Sequence, residues 1–436
     1  MHAIRQLLLA GTAALAAGLQ TASAAEYGFD YGGYVNFSGY GVDQDTVPGS
    51  DVQNFGFAAD AHVRGRAKVI LEDGIELGVR AQLRFESDEA RFSDDLIRGA
   101  PRILDKFFIY GQHAFGRLSI GDDYGAAAQN GIFAPVVSEA NRVDNPRHYI
   151  VQDPLRIDFA PYAPNGAHLR TDLNASGEAF KIMYASPRLI GVEIDFSYTP
   201  ELTRGLSDLF NSEHERDEQS NIWEGNLSYQ KSLSGFDFGA YAGYVIGRNE
   251  HPSVRILQIT APRLSDGVIM PFASNPFTPD DVQEYGAGAQ VAYEGFKIGG
   301  SWRHTNIAGG GPLRDDHVGP LASTGCSQLA GCVLPNADTE IWSAGASYQT
   351  GPWQFGANYA NIDEQLPPFV DVVTRRLTQR GEAWQGTIGY EIGNGVDLYA
   401  GYQRYNFDGP TGGCSSAACD SLQANVGFLQ TAISFP

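Results

Sequence analysis

The sequence has few of the features that mark helical proteins. After the first two dozen residues, no apolar run reaches the roughly 20 residues that a membrane-spanning helix requires. Long stretches with apolar residues three and four positions apart are also missing, and methionine occurs only 3 times. The chain has instead 52 Gly, 21 Tyr and 24 Phe. This composition predicts an all-β protein, with aromatic residues and glycine where core leucine would otherwise be.

Motifs of catalytic and metal sites are absent as well. The sequence has no His-Glu-x-x-His, no Gly-x-Ser-x-Gly and no calcium-loop pattern. Gly286-Ala287-Gly288 lies inside an alternating segment and lacks the helix that a dinucleotide site needs. We therefore predict that the protein is not an enzyme, and that it binds no cofactor, metal or nucleic acid.

The amino end has the pattern of a signal peptide. His2 and Arg5 form a short basic start, Leu7–Leu19 is apolar, and Ala22-Ser23-Ala24 is a small-x-small cleavage site. An uncleaved anchor is less favoured because the apolar stretch is too short to span a bilayer. The sequence predicts that residues 1–24 are a signal peptide and that the mature protein begins at Ala25.

Alternation of apolar and polar residues is the main structural signal. In Ile75–Phe85 the odd-numbered residues are apolar and the even-numbered ones are polar or glycine. The same period of two recurs in Val192–Tyr198, Tyr285–Tyr293 and Trp384–Ile392. A soluble antiparallel sandwich alternates too, but it seldom keeps segments this long and evenly built. Alternation alone therefore leaves a sandwich and a membrane barrel open.

Loop lengths decide between the two folds. We count sixteen candidate strands between Tyr27 and Phe435. Every second connection is tight: Glu72-Asp73-Gly74, Ala114-Phe115-Gly116, Pro187–Ile190, Ser234-Gly235, Glu294-Gly295, Thr350-Gly351-Pro352 and Gly393-Asn394-Gly395. The other connections are long and polar, which is typical of membrane barrels, and closure removes every sheet edge. The sequence predicts that residues 25–436 form a sixteen-stranded antiparallel transmembrane β-barrel with short periplasmic turns, long external loops and both termini in the periplasm.

Two segments carry a resemblance to a known family. Lys106-Phe107-Phe108-Ile109-Tyr110, with the following Phe115-Gly116-Arg117-Leu118-Ser119-Ile120-Gly121, resembles the fourth and fifth strands of the general trimeric porin family of Gram-negative outer membranes. Ile182-Met183-Tyr184-Ala185-Ser186-Pro187 through Gly191 resembles that family's sixth-to-seventh strand turn. The family usually ends on an aromatic residue that the barrel-assembly machinery recognises, whereas here Pro436 follows Phe435.

The resemblance implies a function, a location and a set of partners. We expect a passive diffusion channel for small hydrophilic solutes and ions, assembled as a homotrimer among the lipid and lipopolysaccharide of the bacterial outer membrane. The alternative is a substrate-selective channel for a sugar or an anion. Such channels use an aromatic track or dense lysines, and this chain has 30 Lys+Arg against 51 Asp+Glu.

The register of the second and third strands predicts a basic wall inside the barrel. A three-residue turn at Glu72-Asp73-Gly74 keeps the apolar faces of both strands together, whereas a two-residue turn mixes the two faces. With the longer turn, Arg66 lies directly opposite Arg80. Charges on the lipid face cost about 2–4 kcal/mol each at the midplane, so they point inward. The predicted basic wall contains Arg64, Arg66, Lys68, Arg80, Arg84 and Lys106. It is either an ordinary solvated wall or one half of a constriction.

The third loop, about Asp123 to Glu178, is the longest connection. Loops of this size are usually functional or disordered. The family resemblance implies that it folds into the barrel and narrows the pore. Glu139 and Asp144 lie in mid-loop and are the candidate constriction acids that would oppose the basic wall; the alternative is that they face the external medium.

Two further expectations concern the last third of the chain. Cys326 and Cys332 fall in the sixth external loop, and Cys414 and Cys419 in the eighth; two local disulfides are expected rather than a metal site. In the last strand, apolar residues change parity around Gly427, which predicts a β-bulge there.

Overall fold

The computed structural model describes residues 26–44, 54–86, 104–143, 169, 171–201, 219–249, 254–255, 276–277, 281–306, 338–366, 377–408 and 422–436. Its main feature is a set of sixteen long strands. They are β1 (Glu26–Gln44), β2 (Phe55–Ile70), β3 (Glu76–Glu86), β4 (Leu104–His113), β5 (Gly116–Asp122), β6 (Phe180–Ala185), β7 (Val192–Glu201), β8 (Gln219–Leu233), β9 (Phe236–Asn249), β10 (Val282–Tyr293), β11 (Phe296–Thr305), β12 (Asp338–Thr350), β13 (Trp353–Leu366), β14 (Leu377–Gly393), β15 (Val396–Phe407) and β16 (Leu422–Phe435).

The strands form one closed antiparallel barrel. Each strand pairs with the next along the chain, and β16 pairs with β1 to close the sheet. The predicted strand count and fold class are confirmed, and the strand ends differ from the predicted ones by a few residues. A separate ladder pairs Val254–Arg255 with Pro276–Phe277. Among the described residues, no helix has the length and apolar character needed to cross a membrane.

The short turns have the backbone geometry that their sequences favour. Ser234 and Gly235 have φ values of 53° and 85°, as the two-residue hairpin turn that follows strand twist requires. Between β2 and β3, Leu71 N donates to Ile75 O at 2.9 Å and Gly74 has a φ of 80°. The predicted three-residue turn is therefore confirmed, and with it the register of β2 against β3.

The outer face of the barrel is apolar and is bounded by two belts of aromatic side chains. Phe296 stacks on Tyr348 at 4.0 Å between ring centroids near the turns, and Tyr359 contacts Trp384 at 4.3 Å near the long loops. Other exposed members are Phe236, Phe238, Tyr293, Trp353 and Tyr390 near the turns, and Tyr244, Tyr285, Trp302, Trp342 and Tyr402 near the loops. Such paired belts mark the two interfaces of a bilayer.

The interior holds the third loop, which packs on the inner wall through apolar contacts. Ala127, which lies in the short helix α1 (Ala126–Gln129), and Leu173 of the returning segment are buried with Val245 of β9. Val143 and Leu169 are buried in a second cluster with residues of β1 and β12 to β16. The in-folded third loop is thus present.

The predicted bulge near Gly427 is wrong. Gly427 pairs with Gly41 of β1 and with Tyr402 of β15 in an unbroken register. Val426 and Phe428 point inward and are buried against the third loop, whereas Leu429 points outward to the lipid face. Both faces of this strand are apolar because the loop gives the barrel a local core, and no change of parity is needed.

Candidate pore and its constriction

The basic wall has the register that the sequence predicts. Arg66 pairs directly with Arg80, and Arg84 lies opposite His62. Arg64 and Lys68 are on the same face as Arg66, because successive side chains of a strand alternate between faces. Cations from two neighbouring strands therefore lie side by side in the lumen.

Carboxylates from adjacent strands balance part of this charge. Asp30 on β1 accepts hydrogen bonds from Arg66 Nη2 at 2.5 Å and Nε at 2.9 Å. Lys68 Nζ lies 3.9 Å from Asp30 and 3.9 Å from Glu76. These acids are not among the predicted site residues, although Asp30 shares its parity with the polar residues Asn36 and Ser38 of β1. Arg66 and Lys68 of the basic wall are therefore paired with carboxylates.

A bulge in β4 and the start of the third loop each bring one more carboxylate to the basic wall. The pairing of β3 with β4 shifts after Gln82, which leaves Asp105 without a strand partner beside Lys106. Asp105 reaches Arg84 at 3.5 Å. Lys106 Nζ lies 3.3 Å from Asp123 and 3.3 Å from the ring centroid of Tyr124, a cation–π contact. Lys106 thus contacts the first residues of the third loop through an ion pair and a cation–π contact.

Three arginines of the lumen wall form no ion pair in the described part of the chain. Arg64 and Arg80 form no ion pair there, and Arg117 on β5 donates instead to the amide oxygen of Gln129 at 3.1 Å. Arg80 lies within electrostatic range of the carboxylate of Asp123 and of Arg64, Arg66 and Arg117. Asp123 itself pairs with Lys106 at 3.3 Å, so Arg64, Arg80 and Arg117 form a cluster of cations without a close ion pair among the described residues.

Inward-facing glycines form the bed on which the third loop lies. A Cβ atom at Gly288 would stand 1.9 Å from the carbonyl oxygen of Ile132, and one at Gly243 would stand 2.7 Å from Leu173. The same close approach to loop residues is found at Gly239, Gly345, Gly356 and Gly389. Larger side chains there would push the loop into the lumen. Gly288, which belongs to the Gly286-Ala287-Gly288 segment that the sequence excludes as a dinucleotide site, is one of these positions.

Buried polar contacts hold both the first and the returning part of the loop to β6 and β8. Glu224 accepts hydrogen bonds from the backbone N–H of Ala127 at 3.2 Å and from the Ser176 hydroxyl. Lys181 Nζ donates to the carbonyl oxygen of Gly177 at 2.8 Å. Because buried charged groups are costly unless hydrogen-bonded, these contacts favour one placement of the loop.

A closed barrel with an in-folded loop and a charged lumen is the architecture of a channel, and comparison with known proteins agrees. The sequence model of the Gram-negative porin family matches residues 11–410. The chain belongs to the Gram-negative porin family. It is therefore a diffusion channel of the bacterial outer membrane, and its family and fold are those of a channel rather than of an enzyme.

Solved structures share the fold of this porin at low sequence identity. In-vitro folded OmpT, an outer membrane protein of Vibrio cholerae, is 11% identical with a TM-score of 0.53, over 94% of this chain and 98% of that chain. An anion-selective porin from Comamonas acidovorans is 12% identical with a TM-score of 0.51, over 94% of this chain and 100% of that chain. Comparison with curated protein sequences gives no match. At these identities the likeness shows the fold alone.

Of the two acids predicted for the third-loop side of the constriction, the structure describes Glu139. The side chain of Glu139 is 78% exposed, and it pairs with Arg142 of the same loop at 3.4 Å rather than with an arginine of the basic wall. Glu139 lies over the inner face of β15, close to Tyr399. Asp144 lies outside the described residues, as do the signal peptide and the four cysteines. Arg142, which is not among the predicted site residues, is thus the ion-pair partner of Glu139.

Proposed function

We propose that this porin is a passive pore for small hydrophilic solutes and ions, with its narrowest section between the basic wall and the third loop and a preference for anions there. One observation supports this most: Arg64, Arg80 and Arg117 lie together in the lumen without an ion pair among the described residues, and the carboxylate of Asp123, which is in electrostatic range of Arg80, pairs with Lys106. Clefts lined by one sign of charge in low-dielectric walls concentrate counter-ions. The formal net charge of -21 belongs to the whole chain and does not set the local sign.

The loop acids complete the proposed constriction. Glu139 is exposed beside Arg142, and Asp144 follows two residues later in the chain. In this proposal their carboxylates face the lumen and give the narrow section a transverse field, with the basic wall as its positive side. Arg142 reduces the contribution of Glu139, because the two charges nearly cancel at a distance.

A substrate-selective anion channel is the second candidate, and the cluster around Arg80 is the observation that favours it. Guanidinium groups bind carboxylates and phosphates through paired hydrogen bonds. Swelling of liposomes that contain the porin separates the two functions. With a size series of neutral sugars, a smooth fall in rate with solute size supports general diffusion. A rate that saturates with one solute, or that falls only when a phosphate or carboxylate competes, contradicts it.

The remaining features of the proposal follow from the family. We propose a homotrimer without catalytic activity, exported by the signal peptide in residues 1–24, inserted by the barrel-assembly machinery and surrounded by lipopolysaccharide on its external side. Conductance of the purified protein in a planar bilayer tests the trimer, because three coupled pores insert and close in steps of three. Single, independent steps would contradict it.

A further inference from the structure

The far end of the third loop is fixed by one fully buried asparagine. Asn141 is 0% exposed. Its amide oxygen accepts a hydrogen bond from the Tyr40 hydroxyl at 2.7 Å, and its amide nitrogen donates to Ser38 Oγ at 3.2 Å and to Gln430 Oε1 at 2.5 Å. Ser38 and Tyr40 lie on β1, and Gln430 lies on β16. Asn141 therefore bridges the seam at which the first and last strands close the barrel.

Neighbouring contacts strengthen this attachment. The carbonyl oxygen of Asn141 accepts a hydrogen bond from Gln403 Nε2 on β15 at 2.9 Å, and Tyr405 on the same strand donates to Val143 O at 3.3 Å. Ser138 Oγ donates to Gln430 Oε1 at 2.5 Å. Residues 138–143 are thus bonded to three adjacent strands, and a network satisfied in this way favours a single arrangement.

The partners of Asn141 come together only in the closed barrel. Gln430 is 289 positions from Asn141 along the chain, and Ser38 is 103 positions away in the other direction. β1 alone supplies Tyr40 for the amide oxygen and Ser38 for one N–H of the amide nitrogen, and the second N–H finds its acceptor, Gln430, only when β16 pairs with β1. An unsatisfied buried N–H is unfavourable, so closure of the barrel stabilises this position of the loop.

We propose that Asn141 is a positioning residue that locks the third loop to the closing seam and thereby sets the cross-section and the charge of the pore. The two charged residues of this segment flank it: Glu139 is exposed on the open side of the loop, and Arg142 follows Asn141 directly. Loss of the Asn141 side-chain hydrogen bonds would let Glu139 and Arg142 move away from their positions on the inner wall. This inference rests on the proposed constriction only in that Glu139 and Arg142 border it.

Single-channel conductance of an Asn141→Ala porin tests the anchor. The variant removes the loop acceptor of the Tyr40 hydroxyl and one of the two loop donors to Gln430. The segment should therefore leave the wall part of the time, and conductance should change and become noisier than in the parent. Asn425→Ala is the matched control. Asn425 lies on β16, the strand of Gln430, but its side chain is on the outer face of the barrel, where it accepts a hydrogen bond from Tyr402 at 2.6 Å. The control should keep the parent conductance.

A double-variant cycle tests whether the anchor positions charge. Reversal potentials give the shift in ion preference caused by Glu139→Gln, once in the parent and once in the Asn141→Ala background. Positioning by Asn141 predicts that the shift in the second background is at most about half of that in the parent, since coupled residues are not additive. Equal shifts in both backgrounds, with unchanged conductance, would overturn the proposal.

Two further outcomes are informative. If Glu139→Gln causes no shift in either background while Asn141→Ala still alters conductance, the anchor stands and the proposed role of Glu139 in the constriction fails. Gln430→Ala removes the wall acceptor that Asn141 and Ser138 share and should also change the conductance, in a barrel that resists heat on a gel. If neither Asn141→Ala nor Gln430→Ala yields such a barrel, the network serves closure and not positioning, and the proposal is overturned.

Discussion

At the scale of single residues, the sequence predicted the cations of the lumen but not their partners. Arg66 could be set opposite Arg80 because one turn, Glu72-Asp73-Gly74, joins their strands and only one register keeps the apolar faces together. Asp30 reaches Arg66 from β1, across the long first loop, where no such turn fixes the register. Asp105 reaches Arg84 through a bulge that alternation does not reveal. The carboxylate partners of the lumen cations therefore could not be predicted from the sequence.

Asp30→Asn should shift the ion preference of the pore toward anions. The substitution removes the carboxylate that Arg66 and Lys68 share and so adds one positive charge to the lumen wall. A charge about 10 Å from a passing ion changes its energy by about 0.4 kcal/mol in water and about 1.7 kcal/mol at an effective dielectric constant of 20. With screening by salt, the permeability ratio should change by roughly 2- to 5-fold. Reversal potentials across a salt gradient measure it.

The control for Asp30→Asn is the same change outside the pore. Asp363 pairs with Arg380 at 3.1 Å on the outer face of β13 and β14. Asp363→Asn removes an equally exposed ion pair, and such pairs contribute little to stability. It should leave the ion preference of the parent unchanged. Equal shifts in the two variants, or no shift in Asp30→Asn, would show that Asp30 does not border the ion path.

At the scale of elements, the strands and turns could be predicted from the sequence, whereas the position of the third loop on the inner wall could not. Alternation and tight turns are local signals, and the segment Trp384–Ile392, which lies within β14, is predicted as a strand from them alone. The position of the loop depends on contacts such as Gly288 with Ile132, which are distant in sequence. The wrong bulge at Gly427 has the same origin, because an interior assumed to be polar gave no place for Val426. Inward glycines on consecutive strands are the signal that could have indicated a covered wall.

Gly288→Ala should push the third loop toward the lumen and lower the conductance. The new methyl group would collide with the carbonyl oxygen of Ile132, and overpacking of this kind costs roughly 1–3 kcal/mol. The barrel itself should remain folded, because its strand pairing does not involve this side chain. Single-channel conductance measures the effect on heat-resistant protein. Gly386→Ala, where an added Cβ meets open space, is the control, and equal conductance in the two variants would contradict the account.

At the scale of the whole molecule, the sequence predicted the barrel because a membrane permits few alternatives. A chain without apolar helices can cross a bilayer only as a closed sheet, so alternation together with the turn-and-loop pattern sufficed for the topology. Pore width and ion preference depend instead on how the third loop, the basic wall and their counter-charges share the interior. Neither composition nor net charge contains that information.

The predicted disulfides lie in the sixth and eighth connections, which the sequence predicts to be external loops. Cys326 and Cys332 are close in sequence, as are Cys414 and Cys419, and the cell envelope permits oxidation. Mass spectrometry of unreduced protein should find each pair joined. Because the closed loops are short, reduction should loosen them locally and leave the barrel heat-resistant. Free thiols at all four positions would contradict the prediction.

The central claim is that ions pass beside the basic wall, and one measurement tests it most directly. Arg66→Gln with Arg80→Gln removes two positive charges from facing positions of β2 and β3. Reversal potentials of this double variant at low salt should show a shift of roughly 2- to 10-fold toward cations, and the shift should shrink as salt rises. A heat-resistant double variant that keeps the ion preference of the parent at low salt would contradict the account.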